Sequence, residues 1–238
     1  MTDATEEPQA PDEARRRAIL DMLLSEAAFD GFTEPVLERS ARAAGLEPSE
    51  IAAGEVRRLF PRGISDALAF WSEEEDRQMR EAFEAENPLP HGVTKKIRWL
   101  VKQRIVQLDW NREAARRAAA SLALPHHGAL GAKLLWNTAD SMWRAVGDTS
   151  TDFNHYSKRA TLSALYASVL AHWFSDEGDA GAADPYERTW QFLDERLANL
   201  MQFEKTKAKV QKALPDPAAL AGFLGKLRYR DPMRRTPR

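Results

Sequence analysis

The sequence predicts an all-α fold. Runs of alternating β-branched residues are missing, and no Asn-Gly or Asp-Gly turn joins two such runs. Apolar residues recur instead at helical spacing along most of the chain, and glycines and prolines cut that pattern into segments of helical length. The third observation is negative: no unit of 20 to 50 residues repeats, which disfavours a solenoid.

Taken in order, residues 1–11 form an acidic segment expected to be disordered. A first helix is expected over 12–29 and ends before Gly31. Helices over 34–44 and 48–59 are separated by Gly45, and Pro61 with Gly63 precede one over 64–86. Pro88 and Pro90 set off a helix over 93–109, followed by one over 111–123 that Pro125 closes. The next pair, 127–146 and 152–175, meets at Gly147, a left-handed helix end, and Thr151 or Asp152 can cap the second member. That second helix carries Leu162, Leu165, Tyr166, Val169, Leu170 and Trp173 as an apolar stripe. Asp184-Pro185 with Glu187 reads as a start for a helix over 185–213. After Pro215 and Pro217 a last helix is expected over 218–229.

That last helix differs in charge from the rest. From Ala218 to Arg238 the balance is +5, while the remainder of the chain is −7 within a total of −2. Leu220, Phe223, Leu224 and Leu227 fall within one arc, with Lys226, Arg228 and Arg230 able to reach lipid headgroups, so the segment reads as a membrane-surface helix. The longest mostly apolar run, Thr161 to Phe174, is too short to span a bilayer. The acidic opening lacks the character of a secretory or transit signal, and zero cysteines fit a reducing compartment. Alanine and arginine richness hints at a bacterial source, and with the acidic opening and the C-terminal helix the expected location is the cytoplasm, peripherally attached to a bacterial inner membrane.

Catalytic constellations are missing from the pattern. The glycines form neither G-x-G nor a phosphate-binding loop. A helical di-iron centre needs two Glu-x-x-His pairs, yet the residues three before His91, His126, His127, His155 and His172 are Pro88, Ala123, Leu124, Asp152 and Val169. No metal, cofactor or enzymatic activity is therefore expected. Glu73-Glu74-Glu75 reads as a solvated helix face, and the seven tryptophans as core or interface residues.

The first sixty residues resemble the DNA-binding head of TetR-type regulators, through Ala14 to Leu20, Gly31-Phe32-Thr33, Ala44-Gly45-Leu46 and Leu59-Phe60-Pro61-Arg62-Gly63. This implies a helix-turn-helix-like head over 12–60, which leaves a helical body over 61–214 and the basic membrane-surface helix and tail over 215–238 to follow it. The presumptive reading helix, 50–59, sets Glu50 and Glu55 against Arg57 and Arg58, a poor surface for phosphates. DNA is thus a disfavoured partner, and a ligand-responsive TetR-type transcription regulator is the alternative function.

A second resemblance rests on Trp143 followed by Gly147-Asp148-Thr149-Ser150-Thr151-Asp152-Phe153-Asn154-His155-Tyr156 and Arg159-Ala160, with Trp110 and Thr189-Trp190-Gln191-Phe192-Leu193 in register. This run is similar to the hallmark of the Coq-nine family of ubiquinone-biosynthesis proteins. The resemblance implies a non-catalytic homodimer that holds an isoprenoid quinone or phospholipid and assists the di-iron demethoxyubiquinone hydroxylase at a membrane surface. Under that reading Trp99, Leu100, Leu134, Leu135, Leu165 and Val169 are candidate lipid-contacting residues. Met142, Asp148, Asp152, Phe153, His155 and Tyr156 form the candidate partner surface, although His155 stands where some relatives carry tryptophan.

Overall fold

The computed structural model describes residues 9–125, 127–151 and 153–213, which separate into two compact units at Asp194/Glu195. Among the described residues there are helices and turns but no strand. The helices are α1 (Gln9–Asp30), α2 (Glu34–Ala43), α3 (Pro48–Ala52), α4 (Glu55–Leu59), α5 (Ile64–Ala85), α6 (Val93–Leu108), α7 (Arg112–Leu122), α8 (Gly128–Ala145), α9 (Phe153–Ser175) and α10 (Glu187–Ala213). A single 3-10 turn, Asp109–Asn111, joins α6 to α7. The first unit holds α1 to α9 and the start of α10; the described part of the second is the remainder of α10.

Most boundaries lie where the breakers put them, although α1 starts at Gln9, inside the segment over 1–11 expected to be disordered. Two further corrections fall at Gly54 and Pro185. The expected helix over 48–59 is two five-residue helices, because Gly54 between them takes a left-handed conformation. The supposed reading helix is therefore broken in its middle, and Glu50, Glu55 and Arg58 are already paired at the protein's own surface: Arg58 with Asp12 and Glu55, and Arg15 with Glu50 and Glu55. The second correction is at Asp184-Pro185, where α10 starts two residues late, at Glu187. Asp184 instead accepts from the Tyr186 backbone N–H and the Trp190 indole.

The head is organised around Phe60, which is fully buried. Ile19, Leu23 and Ala27 on α1 and Val36, Leu37 and Ala41 on α2 are buried, and α1 packs on both α2 and α7. The turn into α5 needs Gly63. With φ at +55° it lies where side chains are strained, and an added Cβ would stand 2.0 Å from Glu34 Oε1. Glu34 uses that close approach: its Oε1 accepts the Ile64 N–H at 3.0 Å, satisfying an otherwise free donor at the start of α5.

The body is a packed set of long helices. α6 buries Ile97, Leu100, Val101, Arg104, Ile105 and Leu108 at spacings of three and four, and α5 packs on both α6 and α8. α8 and α9 form an antiparallel pair, with Leu162, Leu165, Tyr166, Val169 and Trp173 buried as the stripe requires. None of the helices among the described residues is long and apolar enough to cross a membrane. The expected helix over 218–229, with its membrane-facing Leu220, Phe223, Leu224, Lys226, Leu227, Arg228 and Arg230, lies outside the described residues.

Candidate functional site

α5 to α9 do not close completely on one another. Between them lies a cavity of about 560 Å³, in the range of small-molecule sites. Leu68, Trp71 and Ser72 of α5 and Arg104 and Leu108 of α6 form one side; Leu134, Leu135 and Thr138 of α8 and Tyr166, Leu170 and Phe174 of α9 form another. α7 contributes mostly small side chains, Ala115, Ala118 and Ala119, with Leu122 at its end. This alanine row leaves room that larger residues would fill. Gly131 lets α8 run close under α7, because a Cβ there would be 2.9 Å from the Leu122 carbonyl.

One end of this apolar space is polar. The Arg104 guanidinium, buried on α6, donates from Nε to Asp76 Oδ1 at 2.9 Å, and the Thr138 hydroxyl donates to both Asp76 oxygens at 3.0 Å. Behind them Glu75 accepts from the Trp71 indole at 3.0 Å. Glu75 Oε2 is 3.9 Å from Arg104 Nη1, too far for a hydrogen bond, and both atoms are buried without a partner. Burial pushes the Glu75 carboxyl up from its ordinary range despite the attraction of Arg104. It also raises the Tyr166 phenol, against the same arginine charge. Glu73-Glu74-Glu75 is thus not a uniform solvated face: Glu73 is exposed, Glu74 is half-buried against Arg17 and Arg77, and Glu75 is in the core.

Of the six residues expected to contact lipid, Leu134 and Leu135 line the cavity. Leu100, Leu165 and Val169 belong to solid core, and Trp99 stacks obliquely on Phe83 with centroids 5.4 Å apart. The polar end was missed, and the only signal for it was an arginine in the apolar register of α6.

The partner surface changes more. Met142 is fully buried, so it is no exposed anchor. Asp148, at the end of α8, is a structural node: it accepts from Ser150 Oγ at 2.7 Å, Lys158 Nζ at 2.6 Å and Arg159 Nη1 at 3.2 Å. Burial alone would raise its pKa, but these donors hold it at about 2. His155 turns Nδ1 to the Ser150 carbonyl at 2.9 Å. Asp152 lies outside the described residues; for Phe153 the backbone alone is described, as the first residue of α9. What remains exposed is Tyr156, at 62%, beside Trp136 and His155. The motif from Gly147 to Arg159 is therefore in large part the lock of the α8–α9 turn: Gly147 and Asp148 cap α8 by bonding back to the Arg144 and Trp143 carbonyls.

A second hollow, about 580 Å³, lies in the loop between α9 and α10 and is lined by His172, Asp176, Asp179, Asp184 and their neighbours. Two of its acids have partners already: Asp176 holds Thr189, and Asp184 holds Lys102 and Trp190. Among the described residues no group of three or more His, Asp or Glu could hold a metal ion.

With α8 and α9 forming one wall of the cavity, their sequence is the informative one to compare. Residues 129–204, which run from α8 into α10, match the family model described as COQ9. The chain is related to the COQ9 proteins. It is 28% identical over 227 residues to the mitochondrial ubiquinone biosynthesis protein COQ9 of Homo sapiens, covering 92% of this chain and 67% of that one. The COQ9 of Rattus norvegicus is 27% identical over the same length, covering 92% and 69%. The COQ9 of Drosophila melanogaster is 25% identical over 205 residues, covering 82% and 58%. These COQ9 relatives are named as mitochondrial, which overturns the expected attachment to a bacterial inner membrane. That expectation rested on alanine and arginine content, which carries no physical information about compartment.

Proposed function

We propose that this chain is a non-catalytic accessory protein of ubiquinone biosynthesis in a mitochondrial setting. It takes up an isoprenoid quinone intermediate from a membrane and presents it to the di-iron demethoxyubiquinone hydroxylase. The observation that carries this reading is the apolar cavity between α5 and α9, whose volume suits a ring and part of a chain and whose lining is aliphatic and aromatic. The names of its COQ9 relatives support the pathway. In this division of labour the hydroxylase supplies the redox chemistry, and this chain supplies access and orientation. Exposed Tyr156 is the remaining candidate for docking the hydroxylase, the segment over 218–229 the candidate for membrane contact, and a homodimer the proposed assembly.

The deciding experiment is organic extraction of the purified full chain followed by lipid identification by mass spectrometry. Near-stoichiometric prenylated quinone or a precursor is expected. Extracts free of lipid, together with no binding of added short-chain quinone, would overturn the reading.

A further inference from the structure

We infer that the turn between α7 and α8 is a membrane contact of its own, which seats the open edge of the cavity against an anionic bilayer. It adds to the lipid-carrier reading a contact in the body of the protein, apart from the segment over 218–229. The first ground is an apolar tip. α7 and α8 are joined over 123–127, where Ala123, Leu124 and Pro125 are exposed, Leu124 at 47%, and Ala129 and Leu130 continue the apolar surface on α8. Ala123 and Ala132 are exposed and also line the cavity, so the cavity reaches the surface at this turn. Because α8 and α9 run antiparallel, the turn lies at the end of the pair opposite Asp148 and Tyr156, away from the face proposed for the hydroxylase.

The second ground is charge. Residues 87–175 carry 12 bases against five acids, whereas residues 1–86 carry 10 against 21, so the stretch that holds the turn is +7 and the stretch before it −11. From Ala114 to Ala139 there is no acid. Lys133 on α8 is exposed and pairs with no carboxylate among the described residues, and on α7 Arg116 and Arg117 share Glu113. Arg117 stands five residues before the end of α7 and Lys133 five after the start of α8, which at 1.5 Å per residue puts both about 8 Å behind the tip. An apolar turn sunk to that depth brings its flanking bases to the lipid phosphates, where opposite charges meet. A protein partner is less well matched, because interface cores favour aromatic, Met and Arg anchors and this tip is aliphatic.

The chain has no cysteine, so Leu124→Cys can carry a polarity-sensitive nitrobenzoxadiazole label at one place, with the exposed position Ser49→Cys on α3 as control. The labelled full chain should be mixed with vesicles of phosphatidylcholine, with and without phosphatidylglycerol. Emission at 124 is expected to shift to the blue and rise roughly twofold on the anionic vesicles, as for a probe entering the acyl boundary, with little change at 49. Co-sedimentation of the unlabelled chain should weaken roughly fivefold in Lys133→Gln, the worth of one surface base, and tighten in Glu113→Gln, which releases two guanidiniums. Vesicle binding without a response at 124, or no vesicle binding, would overturn the inference. So would equal responses with and without phosphatidylglycerol, or a response at 124 to the hydroxylase and none to vesicles, which would make the turn a protein interface. Lipid recovered by extraction would leave the lipid-carrier reading standing in each of those cases.

Discussion

Arg159 on α9 ties Asp140 of α8 to Asp148 at the α8–α9 turn, its Nε lying 2.5 Å from the first carboxylate and Nη1 3.2 Å from the second. The arginine side chain is 2% exposed, so neither contact is a surface ion pair of negligible worth. Arg159→Met should cost about 3 kcal/mol or more, since it leaves two carboxylates short of a partner. Asp148→Asn should cost roughly 1.5 to 3 kcal/mol. Urea unfolding of each variant and of the pair measures both, and the pair should lose less than the sum, because the two residues act on each other.

Asp148 at this turn and Glu74 on α5 predict a response to acid. Asp148 and Glu74 are held at about 2 by their cationic partners, against the burial that would raise them. The native state therefore favours their ionised forms. The stability they add is complete above the ordinary carboxylate range near pH 4 and is lost as pH falls toward 2. The gap in urea midpoint between the unaltered chain and Asp148→Asn should be full at pH 7 and largely closed at pH 2.5.

Glu75 has the opposite sign. Burial raises it, so the native state holds its proton more firmly than the unfolded chain does, and stability falls as pH rises through that window. Glu75→Gln should raise the urea midpoint at pH 8, with the gain shrinking as the pH is lowered. A loss at pH 8 would show that pairing with Arg104 outweighs desolvation.

How much of this was legible beforehand differs by scale. Helix ends were readable because glycine, proline and capping residues act locally, and the stripe on α9 was readable because periodicity is local too. Gly54 showed the limit, since its neighbours read as helix on both sides and only the backbone conformation separates α3 from α4. The cavity was half legible. Leu134 and Leu135 were expected there, but nothing in a row of alanines on α7 distinguishes a tight contact from an open space. Arg104, Asp76 and Thr138 sit on three different helices, and their meeting depends on how those helices pack. Met142 was misjudged for the same reason, because its burial depends on how the other helices pack on α8.

Gly63→Ala tests the turn into α5. The substitution places a Cβ against Glu34 and demands a positive φ from alanine, so a loss of about 2 kcal/mol or more is expected. Adding Glu34→Ala should recover the steric part but not the strain, which a denaturation series on the two single variants and the double one separates.

Filling the cavity should separate binding from folding. Ala167→Phe adds a ring from α9 into space that the chain already leaves open, and Ala167 is only half-buried. Co-purifying lipid should fall several-fold while the melting temperature of the lipid-free protein is held or raised, since added apolar contact in a void is favourable. Unchanged lipid content would mean that the cargo sits elsewhere.

Tyr156→Ala should leave stability within about 1 kcal/mol, the scale of surface changes, because the ring is mostly in solvent. In pull-down with the di-iron hydroxylase the same variant should recover several-fold less partner. Undiminished recovery would remove Tyr156 from the docking surface.

The place taken by the cavity is where a bundle of this kind would otherwise complete its own interior. A guest seated there shares in holding the host together, and folding and loading become one equilibrium, drawn toward the compact state as the guest becomes plentiful. Quality control in the cell then meets the empty form preferentially. On the lipid-carrier reading proposed above, the half-life of the chain should lengthen with the supply of that lipid.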